Sequence, residues 1–439
     1  MTQKDPRIFS ERRESKDFLI SDSGDWPKEP LVSAEEFDRR GRFPEILGSD
    51  VFAAEALSRL ASHERFAVLG VRPDGAGAEG PAEALLELAG SLGGFVGAPE
   101  RSTLALVLPG GDGEAAARAA GELSDMLARA GAPPVFLGAA LYPQGDFSRE
   151  EALENAAKAL DHALFSGPGV LAVLNAASLN VAADRLYQRG DVEGAARELS
   201  RALVLDPENV NVLNSLGVCH AVSGRGAEAI ASFERAAALA PGEVMPLYNI
   251  GLIHLTEKRP DAALDFFRKA LSVEPLVFEA LFQAGRACQE AGRPLEAAAY
   301  LEKASKLRPD SWAALRHLGR ALADCGRTRE AAKAYEKALR LSSEDALTLS
   351  DLSELYTALS VNAEIALSFA LQSVELEGQN GLFHFRLARL LEKRGRRDEA
   401  LAHYEEAMNQ GFPVAEHVAR LKESSAPPEQ ELAKGAGRP

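Results

Sequence analysis

A repeat in the second half of the chain constrains its fold more than any other feature of the sequence. Proline recurs every 34 residues, and glycine and alanine recur with the same period. These positions are Pro207, Pro241, Pro275 and Pro309; Gly217, Gly251, Gly285 and Gly319; Ala195, Ala229, Ala263, Ala297 and Ala331; and Ala202, Ala236, Ala270, Ala304 and Ala338. Such a period indicates that one small unit is stacked on itself many times.

Each position of the repeat has a mechanical reason. Small residues at a fixed phase allow two helices to cross closely, and a large residue one turn away fills the space beside the crossing. The large residues are Leu199, Phe233, Phe267, Leu301 and Tyr335. Glycines with positive φ end the first helix of a unit, and we assign this role to Gly190, Gly224, Gly292, Gly326 and Gly395. The predicted unit is therefore helix, turn, helix, turn.

This unit resembles the tetratricopeptide repeat (TPR), whose Gly, Ala, aromatic and Pro positions correspond to the residues above. We predict seven units, at 176–209, 210–243, 244–277, 278–311, 312–345, 346–380 and 381–414. The sixth unit has one extra residue and Gly378 in place of proline. A capping helix over 415–424 and a disordered tail over 425–439 would follow. The resemblance implies an all-α superhelical solenoid with a concave groove lined by the first helix of each unit.

Several residues on these first helices are not used by the packing pattern, which makes them candidates for a peptide-binding groove. They are Asn211, Asn214, Tyr248, Leu252, Phe282, Arg286, Arg316, Arg320 and Arg389. Arg286, Arg316 and Arg320 come from neighbouring units and could converge on an acidic or carboxylate-bearing peptide. An ordinary solvated arginine face is the alternative interpretation.

Composition narrows the classes of function. A net charge of −16 argues against nucleic-acid binding, which needs clustered Lys and Arg. Cys219, Cys288 and Cys325 are widely spaced within helical patterns, so we expect no disulfide, no metal site and no cofactor. The charged N-terminus and the lack of a long apolar run predict a cytoplasmic protein without membrane insertion.

The N-terminal half follows a different pattern. Residues 1–42 are polar and charged, which predicts a disordered tail. From 43 to 175, amphipathic segments alternate with short apolar runs, as expected for an α/β domain, a sheet with flanking helices. Helices are predicted at 50–62, 81–92, 114–130 and 149–165, and strands at 66–71, 104–108, 135–142 and 170–174, with a hairpin turn before the second of these strands.

The α/β region resembles the GGDEF domain of bacterial diguanylate cyclases. LALVLPGGD at 104–112 is similar to the strand after that family's signature turn, and 136–167 is similar to its later strand, loop and final helix. At the signature itself this chain reads Glu100, Arg101, Ser102, Thr103, Leu104.

The resemblance implies a degenerate, inactive domain. Glu100 and Arg101 stand where the family's glycines admit the nucleotide, and the neutral Ser102 and Thr103 replace its metal-binding acids. Losing one group that stabilises transferred phosphate charge costs about a hundredfold in rate. With several lost, we expect no cyclase activity.

We interpret the chain as a non-enzymatic bacterial scaffold or adaptor that binds a partner protein or peptide through the TPR groove. The GGDEF-like domain would be a docking or dimerisation element, with a homodimer as one possibility and a rigid connection to the first repeat. The alternatives are a guanine-nucleotide or cyclic di-GMP sensor, a cyclase with substitute ligands, and an organiser of an envelope or pilus assembly.

Overall fold

The computed structural model describes residues 43–74, 79–100 and 103–423. The predicted tails at 1–42 and 425–439, and Arg101 and Ser102 of the signature turn, lie outside these ranges. Within them, no helix has the length and apolar character needed to span a membrane. The chain divides into two compact units, residues 1–253 and residues 254–439, and each is described by itself.

The first unit contains a five-stranded sheet. Its strands are β1 (Phe66–Pro73), β2 (Phe95–Glu100), β3 (Thr103–Pro109), β4 (Val135–Tyr142) and β5 (Leu171–Val173). They are ordered β2-β3-β1-β4-β5, and all neighbours are antiparallel except β4 and β5. The first four strands and the two helices between them form the β-α-β-β-α-β pattern of split βαβ folds.

Helices cover both faces of this sheet. They are α1 (Phe52–Leu60), α2 (Glu79–Leu92), α3 (Gly113–Arg129) and α4 (Arg149–Ser166). Because successive strand residues point to opposite faces, Ala67 and Leu69 pack in the cluster with α2 and α3, whereas Phe66 and Val68 pack with α1 and α4. The predicted sheet with flanking helices is thus present, with three layers.

The first repeats complete this unit. Their helices are α5 (Ala176–Gln188), α6 (Val192–Leu205), α7 (Val210–Val222), α8 (Gly226–Leu239) and α9 (Val244–Thr256), the last of which extends into the second unit. A Cβ atom at Gly217 would lie 2.6 Å from the ring of Phe233. The close crossing predicted from the small and large residues is confirmed here.

The described residues of the second unit form helices joined by turns. It contains α10 (Pro260–Val273), α11 (Phe278–Glu290), α12 (Pro294–Leu307), α13 (Trp312–Asp324), α14 (Thr328–Leu341), α15 (Ala346–Leu359), α16 (Ala363–Leu376), α17 (Gly381–Lys393), α18 (Arg397–Asn409) and α19 (Ala415–Glu423). A Cβ atom at Gly319 would lie 2.7 Å from the Tyr335 ring, which repeats the α7–α8 crossing. Val418 and Leu421 of α19 join the cluster around Tyr404.

The turns within the helix pairs mostly have the backbone conformation that the sequence predicts. All five glycines assigned to end a first helix have φ between 69° and 86°. In the third repeat the left-handed residue is Lys258, with φ of 60°. This conformation is unfavourable for a side chain with a Cβ atom.

The α/β domain and the first repeat share one core. Leu174, Ala176 and Leu179 belong to the same buried cluster as Phe66 and Val68 of the sheet. This shared cluster agrees with the rigid connection expected from the sequence.

Candidate functional site

Three predicted groove residues gather around one imidazole in the second unit. Arg286 lies on α11, and Arg316 and Arg320 lie on α13. Burial, followed by the charges of these three arginines, lowers the pKa of His317 to about 3. His317 is therefore neutral near pH 7, and the three guanidinium groups lie close enough to act on it. We call Arg286, Arg316 and Arg320 the arginine cluster.

Hydrogen bonds across the two helices fix the centre of the cluster. Gln289 of α11 donates from Nε2 to the backbone oxygen of His317 at 3.0 Å, and His317 Nδ1 donates to Gln289 Oε1 at 2.7 Å. The ring of Phe282 meets the imidazole edge-on, with centroids 5.4 Å apart. These contacts hold α11 and α13 together at the place where the arginines project.

The three arginines of the cluster have different neighbours. Arg286 donates to the neutral Gln283 amide at 3.2 Å, and the Arg316 guanidinium lies 5.2 Å from the Trp312 ring centroid. Arg320 donates from Nε to both carboxylate oxygens of Asp324, each at 3.2 Å. The cluster thus places three guanidinium groups, each of a kind that donates to carboxylates, around one neutral imidazole.

Arg389 belongs to a different network. Its Nη1 donates to Glu354 of α15 at 3.1 Å, and Glu354 also pairs with Arg386 at 3.0 Å. Arg386 in turn donates to the buried Asp351 at 2.7 Å. Arg389 is exposed, and this ion network ties α17 to α15. Its place in a peptide-binding groove stays a prediction.

Two further predicted groove residues are buried. Asn214 is 8% exposed and Tyr248 is 4% exposed, so the prediction that they are uncommitted to packing is wrong. The repeating Gly and Ala positions predict contacts within one helix pair. They do not predict contacts between successive helix pairs. Asn211 is exposed, and Leu252 and Phe282 are half-buried.

The sequence analysis missed three residues that shape candidate sites. Gln289 and His317 organise the arginine cluster, and no motif singles them out. Asp184 of α5 lines a pocket in the first unit. The sequence could have shown this residue, because Asp184 is a carboxylate at the repeat position where the next two units have the apolar Val218 and Leu252.

The described residues of the signature turn take part in an ion network. Arg72 of β1 lies 3.5 Å from Asp161, 3.5 Å from the Thr103 hydroxyl and 4.0 Å from Glu100. Asp161 also pairs with Arg185 of α5. Thr103 and Leu104 are buried. Among the described residues, no three His, Cys, Asp or Glu side chains are grouped as a metal site would require.

Comparisons with known proteins concern the helical region. Family models described as tetratricopeptide repeat match residues 180–244 and 282–346, residues 246–275, and residues 384–412. These matches lie outside the α/β domain, for which the GGDEF resemblance stays a prediction. No curated protein matches the sequence.

Solved structures resemble parts of the chain. YrrB, described as a TPR protein with an unusual peptide-binding site, is 19% identical to this chain, and the TM-score is 0.40. The alignment covers 43% of this chain and 96% of the YrrB chain. PilF of Pseudomonas aeruginosa is 20% identical, with a TM-score of 0.43, over 47% and 94%. MamA is 26% identical, with a TM-score of 0.35, over 37% and 96%. With the family matches and the helix pairs described above, residues 180–244, 246–275, 282–346 and 384–412 are identified as tetratricopeptide repeats.

Proposed function

We propose that this protein is a non-catalytic scaffold that binds an acidic segment of a partner protein at the arginine cluster. The observation that carries the proposal is the gathering of Arg286, Arg316 and Arg320 around the neutral His317. Guanidinium groups bind carboxylates through paired, charge-assisted hydrogen bonds. A segment rich in Asp or Glu would supply such carboxylates.

The surroundings of the cluster support selectivity for such a segment. The half-buried rings of Phe282 and Trp312 lie beside the arginines and offer apolar contact to a peptide. The chain as a whole has a net charge of −16. On such a protein, a cluster of guanidinium groups attracts an acidic ligand to that place, whereas negative charge elsewhere repels it.

The state of the buried thiols supports a binding function over nucleophilic catalysis. Burial is the main cause that raises the pKa of Cys219 to about 12 and that of Cys288 to about 11. Both thiols are therefore protonated near pH 7, and the thiolate is the reactive form. The α/β domain would act as an inactive docking element attached to the first repeat.

Binding of a defined acidic probe tests the proposal. The probe is a fluorescein-labelled peptide of alternating Glu and Ser, followed by anisotropy, with a Gln-for-Glu peptide as its neutral counterpart. We expect the Glu peptide to bind, and the variant R286E/R316E/R320E to bind at least about tenfold more weakly. Added salt should weaken binding of the Glu peptide.

A matched variant controls for total charge. The exposed residues used for this variant are on α14, the second helix of the fifth unit, and are Arg329, Lys337 and Arg340. Changing all three to Glu alters the net charge of the chain by the same amount as R286E/R316E/R320E does. This control should bind the Glu peptide as the wild type does. Equal binding by the wild type and the cluster variant would contradict the proposal.

A further inference from the structure

An open sheet edge and a pocket lie side by side in the first unit. β5 stands at one end of the strand order, and on the side away from β4 no described strand pairs with it. The pocket has a volume of about 150 Å³. The residues that line it are Ser124, Leu127, Ala128, Ala132, Pro134, Val135 and Gly169. Because Val135 begins β4 and Gly169 lies two residues before β5, the pocket lies beside the start of these two strands.

The two edges of the sheet are not equally protected. At the opposite edge, Leu47 covers β2 with two backbone hydrogen bonds, from its N–H to Val96 O at 3.0 Å and from the N–H of Ala98 to its own oxygen at 2.9 Å. The pairing of β2 also shifts register towards its end. Among the described residues, the β5 edge has neither device, and residues 167–174 include no charged side chain. An edge strand without a cover, a bulge or a charge is a template for pairing with another chain.

The backbone and side chains of β5 present pairing groups to solvent. Leu174 donates its N–H to Ala139 O of β4 at 2.7 Å. Since successive residues of a strand point their N–H groups to opposite sides, the N–H of Val173 points away from β4. The side chains of Val170 and Val173 are 49% and 37% exposed. A strand paired with β5 would accept the hydrogen bond from this N–H and cover both side chains.

We infer that an extended segment of a partner protein adds to the sheet beside β5, with a leucine-sized aliphatic side chain in the pocket. In strand addition, main-chain hydrogen bonds supply affinity and side-chain pockets supply specificity. An apolar cavity of about 150 Å³ holds a molecule the size of benzene, which is also enough for a leucine side chain.

The pocket wall favours an uncharged side chain. None of its lining residues is charged. The one polar side chain among them is Ser124, whose hydroxyl already donates to the backbone oxygen of Ala120 at 2.8 Å. A charged side chain would therefore lose its hydration there without gaining a partner. This site is separate from the arginine cluster, which we propose for acidic segments.

Binding of short peptides to the full chain tests the inference. The probe is acetyl-Thr-Thr-Leu-Thr-Thr-amide, followed by saturation-transfer NMR. One counterpart has glycine in place of leucine, and the other has methyl groups on all its internal backbone nitrogens. We expect the leucine peptide to bind at least about tenfold more tightly than either counterpart. The glycine peptide leaves the pocket empty, and the methylated peptide cannot donate main-chain hydrogen bonds to β5.

Two substitutions remove the two parts of the site. A128L fills the pocket from an exposed position of α3, and V173P removes the outward N–H at an edge, where proline is tolerated. Each should weaken binding of the leucine peptide by at least about tenfold. The matched controls are A117L, at another exposed alanine of α3, and V173T, which keeps the N–H. Both controls should bind the leucine peptide as the wild type does.

Further measurements separate this site from the proposed function and from self-association. R286E/R316E/R320E should leave binding of the leucine peptide unchanged. The inference is overturned if the leucine peptide shows no binding up to about 10 mM, if folded A128L binds it as the wild type does, or if the methylated peptide binds equally well. A wild-type dimer that V173P dissociates in sedimentation would assign the edge to a second copy of this chain, and would also overturn it.

Discussion

His317 makes the stability of the second unit depend on pH. Its pKa is about 3 in the folded chain because of burial and the three arginines, and about 6.5 when unfolded. Below pH 6.5 the unfolded state binds the extra proton, so folding stability falls as the pH drops from 6.5 towards 3.

The substitution H317Q tests this dependence, because a glutamine can still bond to Gln289 but does not titrate. Between pH 6 and 4, the wild type should lose on the order of 1 kcal/mol per pH unit more stability than H317Q. Urea unfolding at each pH measures the difference. Parallel stability curves for the two proteins would contradict the assigned pKa.

Arg386 and Arg389 bind the same carboxylate but should contribute very differently to stability. The Arg386 side chain is 14% exposed and pairs with the buried Asp351, whereas that of Arg389 is 55% exposed. Tyr335 also donates to Asp351, at 2.9 Å. R386M leaves Asp351 buried without its cation and should cost about 3–5 kcal/mol.

R389M serves as the matched variant and should cost less than about 1 kcal/mol, since exposed ion pairs contribute little. Chemical unfolding of both variants measures the two losses. Similar losses for R386M and R389M would show that burial does not set the strength of this network.

At the scale of elements, the turn between α9 and α10 departs from its counterparts. Lys258 has a left-handed backbone where five other repeats have glycine and the sixth has Ser360. The ion pair of Lys258 with Glu290 spans 4.0 Å at an exposed position. K258G should therefore stabilise the protein by about 0.5–1 kcal/mol. The reverse change at an equivalent turn, G292A, should destabilise it by a similar amount, and thermal unfolding measures both. A loss of stability in K258G would contradict this account of the turn.

Individual elements show how far the sequence predicts the fold. The strand predicted at 135–142 has those bounds in the structure, because an apolar run between Pro134 and Pro143 marks both ends. The contact of Gly217 with Phe233 follows from one helix pair and is predictable from its period. The burial of Tyr248 and the bond between Gln289 and His317 depend on packing between successive pairs, which no local pattern records.

At the scale of the whole molecule, the α/β domain caps the first repeat. Lys158 of α4 bonds to Glu198 of α6 at 2.8 Å, and Leu179 of α5 is fully buried in the core shared with the sheet. Deleting residues 1–175 should expose this apolar face of α5 and loosen the α5–α6 pair. Hydrogen exchange should then show faster exchange in α5 and α6 than in the full chain, and unchanged protection there would contradict a capping role.

The acidic composition and the arginine cluster together predict which partners the protein selects. Capture from cells of the source organism, quantified by mass spectrometry, compares the wild type, R286E/R316E/R320E and the α14 control with Arg329, Lys337 and Arg340 changed to Glu. The account predicts that one or more acidic-segment proteins are retained by the wild type and the control and lost with the cluster variant. Identical sets of captured proteins for all three would contradict it.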